Sequence, residues 1–413
     1  MLGILICKKF LKDKLILSKK SVIFILFSIF FINTAAIIAF TYVPKYLLSY
    51  LNTGEPLMQL IITIFPLTAF IFPPLYGFFS DKIQNRYIFI VSGALGMSFT
   101  YLCLLLTQNL ILIVILLFVF GFFMASSNLF LTLYAEMVKD DKTLISYYNA
   151  TIVAAWFVGA QFGGIFINLY GIENIFLFMF IISIPSIITV FFIKENRALI
   201  LELYKNEGND EIIINNTDIV NPISQSIYFG LFFRNFSIKP IMPILSVIMG
   251  FHLDNYTEIG FLIGINFLLQ FFQMLLIGKV ITIKNLKYFM IIGYLLSAVS
   301  ILGYIISTDF WSYLATQLCV SFSYSMHWAA TIIYIAQNTT PKNKGRFMGY
   351  ANTSIFSGSF LGGILFSLLL FAYNRDFYIV MYFMIIFPII SMLIILLKFK
   401  PYSKKKIDSP LSH

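Results

Sequence analysis

Long apolar runs separated by short polar intervals set the pattern of this chain. A helix that crosses a bilayer needs about 20 mostly apolar residues. Stretches of that length fall near 22–43, 57–79, 87–107, 109–133, 144–168 and 174–193, then near 233–252, 258–278, 287–307, 311–336, 347–372 and 377–397. One long hydrophilic segment, Lys194 to Gln225, splits them six and six. The pattern predicts an all-α integral membrane bundle of twelve helices. Its halves are 1–193 and 226–413, each with a basic tail, joined by a loop at 194–225.

Composition agrees. The chain is 60% hydrophobic and only 11% charged, where a soluble domain carries roughly 25% charged residues. A soluble enzyme, a disordered chain and a nucleic-acid binder are disfavoured, and the bilayer is the expected surround. The net charge of +10 therefore reports topology. With twelve spans, 26 of the 28 basic residues fall on the side of the two termini, and only Lys45 and Arg375 fall opposite. Basic loops stay cytoplasmic, so both termini are expected inside, in a multi-pass protein of the plasma membrane. Wrong span parity would scramble that count. Cys7, Cys103 and Cys319 are odd in number and far apart, which implies neither a disulfide framework nor a metal site.

The halves repeat at a spacing near 200 residues. Residues 159–164 read GAQFGG and 358–363 read GSFLGG, so Gly159/Gly358, Gly163/Gly362 and Gly164/Gly363 are each 199 apart. Glycines at four-residue spacing let helix backbones approach, and helix packing is the expected role of these six. Parallel repeats of six helices are an architecture of secondary transporters, with the solute between the halves near the midplane.

After the second span the chain reads GFFSDKIQNR, Gly77 to Arg86. Gly77 permits close approach of helix ends, and Lys82 and Arg86 anchor to headgroups. Asp81 is an anion able to accept hydrogen bonds from the amides at a neighbouring helix N-terminus. Gly77-x-x-Ser80-Asp81-Lys82-x-x-x-Arg86 resembles the G-x-x-x-D-R/K-x-G-R-R/K loop of the major facilitator superfamily. Gln84 stands where that loop's second Gly usually sits, and Tyr87 replaces its last basic residue. The second-half counterpart, GKVITIKNLK at 278–287, lacks the acid. GAQFGG is similar to the G-P-x-x-G-G motif of drug exporters, with Ala160 in place of the Pro. The resemblance covers nearly the whole chain. It implies alternating access, with Gly77, Asp81, Lys82 and Arg86 as a conformational-switch loop.

Polar side chains inside spans usually face the bundle interior. Tyr324, His327, Trp328, Thr331 and Tyr334 share one face of the tenth span; Asn266, Gln270 and Gln273 share a face of the eighth. Asn33 and Thr34, Asn128 and Thr132, and Trp156 and Gln161 are the first-half candidates. The family resemblance, in which spans one, four, seven and ten surround the cavity, implies that Asn33, Asn128 and His327 lie nearest the solute. For each Asn or Gln, bonding between helices remains an equal alternative. His327 titrates near neutral pH when unperturbed, and is a candidate proton carrier, a partner of a polar solute, or a satisfied interhelical histidine. Lys239 is expected to snorkel to the headgroups, with binding of an anionic solute as the alternative.

No phosphate-binding G-x-x-x-x-G-K-[ST] loop is present, so neither ATP hydrolysis nor a cofactor is expected. The reading is a transporter, working as a monomer and not an enzyme, that moves a small organic solute. An aromatic, carboxylate-free interior favours a neutral or amphiphilic one. Proton-coupled import, facilitated diffusion and drug-like export stay open. A lipid-modifying membrane enzyme would need an intramembrane acid–base pair or a His-rich cluster, which the chain lacks.

Overall fold

The computed structural model describes residues 19–83, 85–138, 142–195, 223–339 and 341–399. Both tails, Gln84 and all of the central loop except its ends lie outside the described residues. Twelve helices are long and apolar enough to cross a membrane. They are α1 (Lys20–Tyr50), α2 (Glu55–Ile83), α3 (Arg86–Leu105), α4 (Leu110–Met137), α5 (Leu144–Tyr170) and α6 (Ile172–Val190) in the first half. The second half holds α7 (Ser226–Met249), α8 (Tyr256–Val280), α9 (Leu286–Ile306), α10 (Phe310–Asn338), α11 (Gly345–Ala372) and α12 (Phe377–Lys398). An even number of crossings puts both chain ends on one side, here called the near face.

Side chains cap the helices where the sequence supplies short polar groups. Asn85 accepts from the Ile88 amide at the start of α3, Asn109 from Ile111 and Leu112 at α4, and Asn255 from Thr257 at α8. Asp309 caps α10; bonds from the Ser312 amide and hydroxyl, then the Trp311 amide, hold its carboxyl below the usual range.

The seventh helix departs from the expected span. It begins at Ser226 rather than near 233, because the residues before Arg234 (SIYFGLFF) are apolar enough to be buried. Arg234, expected among the loop charges, is thus the ninth residue of the span and 2% exposed. The helix is also broken. Pro240 and Pro243 lack the amides that would bond the carbonyls of Phe236 and Lys239, and a 3-10 turn spans Met242–Ile244.

The glycine hexads expose the repeat. A Cβ on Gly159 or Gly163 of α5 would run into α1, and one on Gly358 or Gly362 of α11 would run into α7. The third glycine of each set faces the other half: Gly164 lies against Tyr256 of α8, and Gly363 against Thr63 of α2. Gly362 sits on the Phe236 carbonyl that Pro240 leaves unbonded.

Contacts that join the halves gather at the far face. Asn168 Nδ2 donates to Thr257 Oγ1 at 2.8 Å, and Asn168 Oδ1 accepts from the Tyr256 amide at 3.0 Å. Ser246 donates to the Thr41 carbonyl, Ser367 to the Pro56 carbonyl at 2.7 Å, and Gln59 to the Pro240 carbonyl at 3.3 Å. The two far-face cations also bridge the halves. Lys45 lies over the Tyr256 ring at 5.7 Å, and Arg375 pairs with Glu55 at 3.9 Å. Gly54, with φ 75°, precedes Glu55 and leaves room for that guanidinium. Toward the near face the packing loosens: a Cβ on Gly77, Gly278, Gly345 or Gly349 would meet open space. The contacts of Asn168, Gln59, Ser246, Ser367 and Arg375 hold the two halves together from mid-depth to the far face.

Candidate functional site

Ser246 bonded to Thr41 sets α7 in register with α1, so seven residues nearer the near face Lys239 comes level with Thr34. Around that depth the sequence candidates divide into three kinds.

Some are spent on holding helices together. Asn266 donates to Gln317 Oε1 at 2.6 Å and accepts from Gln270. Gln273 donates to Ser321 Oγ at 3.0 Å and accepts from Ser325 at 3.2 Å. The polar face of α8 is thus zipped to α10. Thr331 is buried and donates to the His327 carbonyl at 2.8 Å, closing on its own helix. Gln161 lies at the far-face seam, reaching the Thr257 carbonyl at 3.5 Å.

A second kind is not tied into the α8–α10 packing. Trp156 Nε1 donates to Asn33 Oδ1 at 3.2 Å, while Asn33 Nδ2 donates to the Ile29 carbonyl at 2.9 Å. The Trp156 ring stands 5.2 Å from Phe267 of α8, an aromatic contact across the seam. Asn128 and Thr132 of α4 are exposed on one face of that helix. Tyr324 and Trp328 of α10 are half-buried, their rings 6.3 Å apart.

The third kind surrounds a cation that the sequence reading set among the loop charges. Arg234 Nε donates to Ser297 Oγ of α9 at 3.1 Å, and Nη1 donates to Asn235 Oδ1 at 3.3 Å. Its Cζ lies 5.6 Å from the Tyr324 ring. His327 is buried beside it, its ring 5.2 Å from Tyr294 and 5.5 Å from Tyr324. Its Nδ1 lies 2.7 Å from the Ser323 carbonyl. A carbonyl only accepts, so Nδ1 carries the proton. Lys239 is the fourteenth of 24 residues in α7, about 20 Å from the helix start at ~1.5 Å per residue. That is mid-span, too deep for its four-carbon stem to carry the ammonium to headgroups in a core ~30 Å thick. Lys239 is half-buried and has no hydrogen-bond or ion-pair partner among the described residues. A signal for both cations was present in the apolar residues on either side of them.

The switch loop is wired differently from expectation. Arg86 pairs with Glu136 at the end of α4 and lies 3.7 Å from Asp81. The amides at the start of α3 are bonded by Glu195, which accepts from Tyr87 N at 2.9 Å and Arg86 N at 3.4 Å. The role anticipated for Asp81, bonding a helix N-terminus, falls to Glu195, which α6 brings back to that point; Asp81 stays exposed. Gly77 has open space about it, and Lys82 is exposed.

Among the described residues no group of three or more His, Cys, Asp or Glu side chains could hold a metal ion. Of two open cavities, one of about 450 Å³ lies at the near face within the second half, between the starts of α7 and α11 beside Tyr228, Phe347 and Tyr350, and one of about 370 Å³ lies at the far face between the halves, beside Gly54, Phe371 and Arg375.

The sequence profile of the Major Facilitator Superfamily matches residues 23–217 and 227–413. The chain belongs to that superfamily: it is a multi-pass membrane protein with the two-half fold of a secondary transporter. Solved structures of similar fold include the nucleoside transporter NupG, with TM-score 0.72, 12% identity, and 92% of this chain and 99% of that one covered. An auto-inhibited peptide transporter of the POT family gives TM-score 0.74, 12% identity, and 94% and 98% covered. A POT family transporter in complex with 5-aminolevulinic acid gives 0.71, 11%, 91% and 95%. At such identities the likeness is one of fold. No curated protein matches the chain in sequence.

Proposed function

We propose that the chain carries a small organic solute across the plasma membrane by alternating access, as a monomer and without enzymatic chemistry. The observation that carries this reading is the seam: the bonds of Asn168, Ser246 and Arg375 between the halves gather toward the far face, and open space surrounds glycines at near-face helix ends, on either side of a mid-depth cluster of polar and aromatic side chains. The basic excess of the near face supports a cytoplasmic assignment for it; the resting state is then open to the cytoplasm. The solute path runs between Asn33, Asn128 and Trp156 of the first half and Lys239, Tyr324 and Trp328 of the second. Rocking the halves closes the near face and brings the exposed Asp81 end of α2 toward α11, while Arg86 stays tied to Glu136 within the first half.

Proton coupling through His327 is the weaker of the coupling readings. Its Nδ1–H is engaged by Ser323, and the charged and titratable groups around it are Arg234, Lys239, Tyr294 and Tyr324, with no carboxylate among them. An added proton would sit beside a guanidinium, with nothing negative to hold it.

The test is reconstitution into liposomes with and without an imposed pH gradient, following a mixed metabolite pool. Gradient-independent movement of at least one solute is expected. Movement of none, with turnover of the lipid instead, would remove the transporter assignment. Asp81→Asn is expected to lower flux at least ~10-fold, a loss of about 1.4 kcal/mol, with membrane insertion unchanged; full flux would return that loop to a solvated role.

A further inference from the structure

Every carboxylate among the described residues lies at a helix end or in a connection: Glu55, Asp81, Glu136 and Glu195 in the first half are typical. The membrane interior nevertheless holds two cations, both on α7. The first half offers no counter-charge at that depth. Of the polar groups on α1 at that level, Thr34 donates to the Phe30 carbonyl, and Asn33 has its amide nitrogen and oxygen bonded to Ile29 and Trp156.

The two cations meet their charge unequally. The Arg234 guanidinium is wrapped by neutral partners, the Ser297 hydroxyl, the Asn235 amide oxygen and the Tyr324 ring. These orient it and leave its charge uncompensated. Among the described residues Lys239 has not even a neutral hydrogen-bond partner. The carbonyl of its neighbour Pro240 accepts from Gln59 of the first half, and Ser246, further along α7, donates to Thr41 of the first half. Lys239 therefore lies on the stretch of α7 that borders the seam, below the point where the halves close. The proline break beside it also frees its carbonyl.

We propose that the transported solute is a small organic anion whose carboxylate or phosphate group binds Lys239, with Arg234 behind it adding attraction, and whose apolar body rests on Tyr324 and Trp328. The proposal rests on the transporter reading above and narrows its solute from any small organic molecule to an anion. A buried charge is stable where it is paired, and a site that gains its partner only when loaded discriminates against neutral analogues that leave the ammonium unpaired. A neutral solute of the same shape gains nothing from either cation.

The experiment uses the full chain in liposomes and five labelled probes: succinate, citrate and glycerol 3-phosphate as anions, and succinamide and uridine as neutral solutes. Wild-type protein is expected to move at least one anion and to discriminate against succinamide. Lys239→Gln should lower kcat/KM for that anion ~30-fold or more, about 2 kcal/mol. Lys239→Arg, which keeps the charge, should retain a third or more of wild-type flux. Unchanged thermal unfolding in detergent for both variants guards against a folding defect. Movement of a neutral probe that Lys239→Gln leaves unaltered would overturn the anion proposal and keep the transporter reading. Movement of an anion that Lys239→Gln leaves unaltered would also overturn it. Movement of no probe of either charge class would overturn it as well; whether the transporter reading falls too is decided by the mixed metabolite pool.

Discussion

Arg234 and His327 show how a single helix turn can decide between a binding group and a packing group. The guanidinium, planar and permanently charged, donates to Ser297 of α9 and Asn235 of α7 and lies over the Tyr324 ring of α10, so it braces three helices. The imidazole is held between two tyrosine rings and a backbone carbonyl, with Gly293 of α9 packed against its Cβ. Truncating it removes buried contacts without removing a group that faces the pathway. His327→Ala is expected to lower thermal stability by about 1–3 kcal/mol, a cavity cost, while the shape of the flux–pH profile between pH 5 and 8 stays that of the wild type. A profile that flattened or shifted in the variant would restore the proton-carrier role. The sequence singled out His327 because it is the one imidazole deep in a span; of its surroundings only Tyr324, on its own helix, could be read there, since Arg234 and Tyr294 come from two other helices.

Among the helices, α7 and α8 mark the boundary of what was legible. Apolar runs locate helices well, but a span end judged from the nearest charge fails when a charge is buried. Eight apolar or small residues precede Arg234, and the helix takes them in. On α8 the shared face of Asn266, Gln270 and Gln273 was visible as periodicity. Whether that face meets solute or helix depends on α10, whose Gln317, Ser321 and Ser325 answer it residue by residue. The hexads were plain in the sequence because duplication preserves spacing, and their packing partners, α1 and α7, are themselves repeat counterparts. Gly362 is the tightest of them, seated on backbone that a proline has opened. Gly362→Val is expected to cost about 1–3 kcal/mol from overpacking, read as a lower unfolding temperature. Gly278→Ala, with open space at its Cβ, should leave it unchanged or raise it slightly. Equal effects from the two would show that helix propensity, not close packing, sets the difference.

Over the whole molecule, the count of basic residues was read as an inside–outside balance. The structure gives the minority its own meaning. Lys45 and Arg375, which stand opposite the majority, both bridge the halves at the closed face, and Arg234 and Lys239, counted with the majority, belong to the interior. A partly exposed pair such as Glu55–Arg375 is worth at most about 1 kcal/mol, a factor of ~5 in an equilibrium between conformations. Arg375→Glu is therefore expected to shift the resting population toward far-face-open forms by up to ~5-fold, measured as labelling of a cysteine placed at Leu57. Pairing it with Glu55→Arg should reverse the shift. A double variant no different from the single one would detach the pair from closure.

That clasp has a directional corollary. Its charges touch only the solution beyond the far face, where mobile ions screen them over ~8–10 Å. Two compartments of equal solute but unequal salinity would then act on the carrier from one side only. Brine beyond the far face loosens the clasp and changes how often the carrier turns over; brine at the near face leaves it alone. The protein would read the ionic climate beyond its far face as a throttle on its own cycle.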